Sequence, residues 1–402
     1  MASSTAATPA SLRWNLRGLS VISFAHGVSD FYSGIVPFTI FLVLSRDHVS
    51  AGFQGALVFV WYLTSSLVQP FFGAYTDRIG RWWFLPSSVA VTMLAISFAC
   101  VAPSIWLLGL CIVAGGIGSA IMHPEAGKYS AMLSGDRRAG GISIFQIGGQ
   151  IGYSLGPAVV ALLYARYGPG GTLWLLIPGA LAVAALFAVM RRVDRSAERT
   201  HGAHRRARPA SFESGQVDRT GVALLVASTG LRYFVSAAFM TYLPNYLVGN
   251  GSSIAAAGQI VTVFLFVSSI GLLAGGYLSD RFGPVRISIA ALCGAVPFYL
   301  GFFAFHGTLG LASLLVGSAL LAVQNAPGVT LVQAMLPRNL GMALGLMNGV
   351  AFGAGSAMVA LLGAAVVAFG AGPALEAASI VPLLAALGYA GVKGRSTQYG
   401  TI

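Results

Sequence analysis

The chain is 402 residues long, 56% hydrophobic and only 8% charged, against about 25% charged in an ordinary soluble domain, which excludes water as its main solvent. Its formal charge of +12 sits in polar segments between apolar runs and argues against a nucleic-acid partner. The three cysteines, Cys100, Cys111 and Cys293, all lie in apolar segments, so no disulfide framework or CxxC metal pair is offered, and neither a metal nor a cofactor is expected.

Residues 1–18 form a polar, lightly basic tail, and the apolar run after it is too long for a signal-peptide core. It reads as a retained span. Apolar runs of about 20 residues place twelve spans near 19–44, 52–75, 83–102, 105–128, 139–166, 171–190, 220–248, 254–278, 286–305, 308–335, 339–368 and 374–392. The runs are continuously apolar rather than alternating, which favours helices over a β-barrel. An even number of spans puts both termini on one side.

Of the 23 Lys and Arg residues, all but Arg46, Arg166 and Arg232 fall in the two tails, in the even-numbered loops or at the span residues bordering those loops, which are therefore expected to be cytoplasmic. The loop 191–219 carries eight arginines, Arg191, Arg192, Arg195, Arg199, Arg205, Arg206, Arg208 and Arg219. It reads as a flexible linker between an N-terminal half, 19–190, and a C-terminal half, 220–392, with a short cytoplasmic tail at 393–402.

The halves are copies. Gly73-x-x-x-Asp77-Arg78-x-Gly80 recurs as Gly276-x-x-x-Asp280-Arg281-x-Gly283, every residue displaced by 203 positions, and the same displacement carries Pro124 onto Pro327 and Gly152 onto Gly355. Such duplication is the internal symmetry of a transporter. The fold expected is an all-α membrane protein of six plus six helices. In the hairpins, Asp77 and Asp280 can gain a contact with an arginine or a helix N-terminus in one conformation and lose it in another, a gating role; simple solvation is the alternative.

A charge at mid-span costs about 3 kcal/mol on insertion scales, so the few that occur need a partner or a hydrated cavity. Asp30 lies 11 residues past Leu19, about 16 Å along a helix. His26 precedes it by one turn on the same face, where a proton can be shared. Glu125 follows His123 and Pro124 in span four, where proline frees a carbonyl and opens the helix to water. With His123 it is a further candidate for proton coupling or, with Lys128 three residues on, a local salt bridge.

Arg232 maps by the displacement onto Ser29, beside Asp30. Either the two pair across the halves, or Arg232 stays free to clamp an anionic substrate through its bidentate fork. Gln146, Asn348, Tyr32 and Tyr153 are candidate cavity liners. Glycines every fourth residue, at Gly148, Gly152 and Gly156 and again at Gly341, Gly345, Gly349 and Gly353, make smooth helix faces for sliding or for tight static packing.

The doubled Gly-x-x-x-Asp-Arg-x-Gly hairpins with two six-helix halves resemble the major facilitator superfamily. Within it, His26-Gly27-Val28-Ser29-Asp30, Gln69-Pro70, His123-Pro124-Glu125-Ala126 and Phe145-Gln146-Ile147-Gly148-Gly149 are similar to the bacterial fosmidomycin-resistance branch. The resemblance implies a monomeric inner-membrane exporter with alternating access, exchanging a small anionic or amphiphilic drug for protons. Span four lacks the arginine that drug/proton antiporters commonly carry there, so their proton relay does not transfer. A proton-coupled importer of an organic anion is the alternative. An intramembrane enzyme is not expected, because no HExxH, Gly-x-Ser-x-Gly or Walker pattern occurs.

Overall fold

The computed structural model describes residues 15–79, 81–134, 138–205, 218–336, 342–343 and 345–396, and among them every regular element is helical. Eleven helices are long and apolar enough to cross a bilayer, from Leu16–Arg46 to Ala371–Val392. The third expected span is shorter than expected, a 16-residue helix over Phe84–Ala99, about 24 Å long. Turns at Trp82–Trp83 and Cys100–Val101 extend it at both ends. The result is twelve segments in two pseudo-symmetric sets of six.

The duplication extends to the atoms that start and pack the helices. Asn15 caps span one (Leu16–Arg46) by accepting from the Gly18 N–H at 2.9 Å, and Asp218, 203 positions on, caps span seven (Arg219–Gly249) by accepting from Gly221 at 2.9 Å. Ser50 and Ser253, the same distance apart, cap spans two and eight. A Cβ on Gly152 would sit 1.9 Å from the Gly27 carbonyl oxygen, and one on Gly355 would sit 2.0 Å from that of Gly230. Both pairs share the 203-residue displacement. Span five (Arg138–Tyr167) therefore lies against span one backbone to backbone, and span eleven (Gly345–Phe369) against span seven likewise.

Of the two glycine series, the one in span five is static packing: Gly148, Gly152 and Gly156 each meet span-one backbone within 2.7 Å of a built Cβ. The series in span eleven is broken. Gly345 and Gly349 face open space, Gly353 meets Leu67, and Gly341 lies outside the described residues. The cause is a π-helical stretch, Gly345–Ala351, which changes the turn that a four-residue spacing assumes. Span two carries its own π turn at Leu63–Leu67, and Leu67 is the residue that Gly353 meets.

Hydrogen bonds between the halves run from mid-span to the end away from the termini. Gln54 Nε2 donates to the Thr241 carbonyl at 2.6 Å, Tyr242 to that of Ala51 at 3.3 Å, the Ala158 N–H to Thr262 Oγ1 at 2.9 Å, and Ser269 Oγ to Gln150 Oε1 at 3.2 Å. At that same end Arg46, an exception to the charge rule, grips Asp47 through both carboxylate oxygens and donates to the Cys100 and Ala102 carbonyls. At the other end the helix Leu176–Arg205 continues well past residue 190, so the first part of the expected flexible linker is helical. Asp194 on that extension accepts from the Tyr129 hydroxyl at 2.6 Å, which ties it to span four.

Replacing Gly152 or Gly355 by alanine is expected to lower the thermal midpoint of the detergent-solubilised protein, at a cost of about 1–3 kcal/mol for overpacking. Gly109→Ala, which meets nothing within 4 Å, is the control. Equal melting of all three variants would contradict the backbone contacts.

Candidate functional site

Asp30 and His26 stand one turn apart on span one, which is buried over most of its length. Span four (Ile105–Leu133) brings a third group, His123, to the same place. Asp30 Oδ2 lies 3.1 Å from His26 Nε2, and Oδ1 lies 3.2 Å from His123 Nε2. The carboxylate is 15% exposed. His26 stacks on Phe145 of span five at 3.9 Å and meets the edge of His123 at 5.2 Å.

The protonation pattern follows from the other ring nitrogens. His26 Nδ1 is 2.9 Å from the Phe145 carbonyl oxygen, and His123 Nδ1 is 2.8 Å from that of Ser119. A carbonyl oxygen only accepts, so each Nδ1 carries a hydrogen. In a neutral imidazole the other nitrogen is then a bare lone pair. Both Nε2 lone pairs would then face a carboxylate, which brings three acceptors together. Each gap is of hydrogen-bond length and closes with one proton. Two protons therefore convert the cluster from mutually repelling acceptors into two charge-assisted hydrogen bonds. The three ligand atoms lie within 4.8 Å of one another, so a metal ion is the other cation that this geometry could admit.

Glu125 stands apart from this cluster. It is 1% exposed and pairs with Lys128 Nζ at 3.3 Å, the local salt bridge that the sequence left open. Tyr32 is no cavity liner: its hydroxyl is buried and donates to the Leu175 carbonyl at 2.6 Å, within the N-terminal half. Gln146 is exposed. Tyr153 crosses between the halves, donating to Met240 Sδ at 2.9 Å, and its phenol lies within electrostatic reach of Tyr62 and Asp30.

Of the two readings of Arg232, the ion pair with Asp30 does not form. Asp30 is engaged by the histidines, and Arg232, 4% exposed, has Nε and Nη2 buried without hydrogen-bond partners. Its guanidinium carbon lies 3.7 Å from the Tyr233 ring centroid. Equivalent positions in a repeat are mirror places in two lobes, not neighbours. Tyr233 stands where the displacement puts Asp30, and it receives a hydrogen bond from Asn325 Nδ2 of span ten at 3.3 Å, one position before the counterpart of His123, Ala326.

In the hairpins, Arg78, Asp280 and Arg281 are exposed and Gly283 has φ 87°, a left-handed backbone that favours glycine. Gly73 packs its Cα face on Pro124. A Cβ built on Gly276 would meet only Ala326, at 4.0 Å. Gly80 and the side chains of Asp77 and Asn348 lie outside the described residues.

Sequence reasoning missed three buried polar side chains near Arg232: Tyr299, Gln324 and Tyr389. A signal existed. At a displacement of 203 their counterparts are Ile96, Ile121 and Leu186, so one half is polar where the other is apolar.

The profile of the Major Facilitator Superfamily matches residues 22–360, with a second match at 225–396. The fosmidomycin resistance protein of Escherichia coli (strain K12) is 29% identical over 89% of this chain and 88% of its own length. An uncharacterized MFS-type transporter of Bacillus subtilis (strain 168) is 28% identical over 92% and 91%. A crystal structure of a nucleoside transporter superposes with a TM-score of 0.71 at 15% identity, covering 94% of this chain and 100% of that one, a likeness of fold.

Nitrogen-15 NMR of histidine-labelled protein, above the pH at which imidazoles are charged, is expected to show His26 and His123 as Nδ1–H tautomers. Nε2–H signals from either ring would contradict the carbonyl anchoring.

Proposed function

The chain belongs to the Major Facilitator Superfamily, and from that premise we propose that it exports a small anionic or amphiphilic compound in exchange for protons. It is a multi-pass membrane transporter of small molecules, not an enzyme. The observation that carries the proton reading is the His26–Asp30–His123 cluster, whose anchored tautomers leave two acceptor gaps.

Protons filling those gaps draw spans one and four together, and losing them sets three acceptors in opposition. A difference of about 1.4 kcal/mol between two conformations shifts their ratio tenfold, less than one charge-assisted hydrogen bond supplies. Tyr153 of span five carries the change across the seam, because it bonds Met240 of the other half. Glu125, held by Lys128, is a secondary candidate for the proton path. The exposed Arg78, Asp280 and Arg281 act at the hairpins as contacts that differ between conformations.

Lysine and arginine placement supports cytoplasmic termini, and the bacterial relatives support an inner membrane. The bonded end of the seam then faces outward, and the conformation described is one that loads from the cytoplasm. Likeness to a fosmidomycin resistance protein supports export, with fosmidomycin as the first compound to test.

Reconstituted protein is expected to move fosmidomycin against its gradient when a pH gradient is imposed, and Asp30→Asn to abolish this drive. Chelators should have no effect, since protons fill the gaps. In cells, expression should lower drug accumulation and an uncoupler should restore it. Accumulation that rises with expression and collapses with uncoupler would establish import instead; transport indifferent to pH and to Asp30→Asn would sink proton coupling here.

A further inference from the structure

We propose that Arg232, with Tyr299 and Gln324, forms an oxyanion-binding pocket enclosed within the C-terminal half. The ligand chemistry is a carboxylate, phosphonate or phosphate headgroup. The pocket deepens the export reading by naming where an anionic substrate is held and what part of it is recognised.

The guanidinium is 4% exposed and stays charged at any accessible pH. A buried charge is costly without a counter-charge, yet none of the acidic side chains among the described residues pairs with Arg232. Residues 220–392 contain two acids, Asp280 and Glu376, and both are exposed. Asp30 is committed to its histidines. The counter-charge must come from a ligand.

Its shape follows from which atoms are free. Arg232 Nε and Nη2 are the unpartnered pair, and their N–H bonds run parallel along one edge of the planar group, the geometry that takes two oxygens of one oxyanion. The Tyr299 hydroxyl is also buried and unpartnered, and its ring packs at 4.6 Å on Phe239 of span seven, the helix that carries Arg232. It supplies a third donor. Gln324 Nε2 is fixed by Thr229 Oγ1 at 3.1 Å and by the Tyr389 hydroxyl, which leaves its Oε1 buried without a partner. That oxygen accepts a hydrogen from a protonated headgroup. The Tyr233 ring at 3.7 Å holds the guanidinium plane.

The pocket is joined to the seam. Tyr233 meets Phe352 edge-on at 4.8 Å, and Phe352 meets Tyr62 of the other half at 5.4 Å. A ligand that shifts Arg232 therefore shifts a contact between the halves.

Calorimetric titration of the full chain in detergent, with no gradient present, tests this with acetate, methylphosphonate and inorganic phosphate against chloride. At least one oxyanion is expected to bind more tightly than chloride, and Arg232→Lys to weaken it by at least about tenfold, because an ammonium lacks the parallel fork. Tyr299→Phe should weaken the tetrahedral anions more than acetate without lowering the unliganded melting temperature, since the buried hydroxyl makes no bond. A stronger effect on acetate would assign the pocket to carboxylates alone and overturn the third-donor role. Chloride binding as well as any oxyanion, or full affinity in Arg232→Lys, overturns the pocket. Oxyanion binding without pH-driven transport would fail the export reading alone; pH-driven transport without oxyanion binding would fail this inference alone.

Discussion

Two backbone carbonyls, those of Phe145 and Ser119, constrain the chemistry at the centre of the N-terminal half. By accepting from His26 and His123 they fix which nitrogen of each ring faces Asp30. Without them an imidazole could turn its own N–H toward the carboxylate and satisfy it at no change in proton count. With them, the carboxylate is satisfied only when protons arrive from outside. The backbone of spans four and five thus turns three ordinary side chains into a cluster that changes from repulsion to attraction as it loads. Burial sharpens both states, since the surroundings screen less than water.

The fold supplies what such a cluster needs to act on. Span five lies so close to span one, through Gly27 and Gly152, that Phe145 can reach His26 at all; a methyl group in that contact would separate them. The same glycine contact in the C-terminal half, Gly230 to Gly355, sets span eleven beside Arg232 and brings Phe352 onto Tyr233. Tyr62, Tyr153 and Phe352 then stand between the acidic centre of one lobe and the basic centre of the other. The π turns at Leu63–Leu67 and Gly345–Ala351 face this seam, and such turns bond less regularly than an α-helix. A seam of aromatic edges and loosened turns can rearrange without breaking a lattice of strong bonds.

How much of this was legible depended on whether the information was local. The spans and the duplication follow from hydropathy and from a displacement of 203, and the displacement holds down to the caps at Asn15 and Asp218. Asp30 and His26 could be joined from sequence because helix geometry joins them. His123 could be marked but not placed, since its contact with Asp30 depends on how spans one and four pack. The Asp30–Arg232 pair failed because symmetry relates places in different lobes, and the repeat by itself says nothing about distance across them. Tyr299, Gln324 and Tyr389 were passed over because a lone polar residue in an apolar run is ordinary. Set beside Ile96, Ile121 and Leu186, they stand out as positions where the copies diverged in polarity.

The central claim is that the cluster around Asp30 takes up two protons in each cycle. Proteoliposomes held at zero voltage allow this to be counted, by finding the substrate gradient that just balances an imposed pH gradient. Two protons per substrate predict a balance at about a hundredfold substrate ratio per pH unit, two tenfold steps. A tenfold balance, or none that depends on pH, would contradict the account.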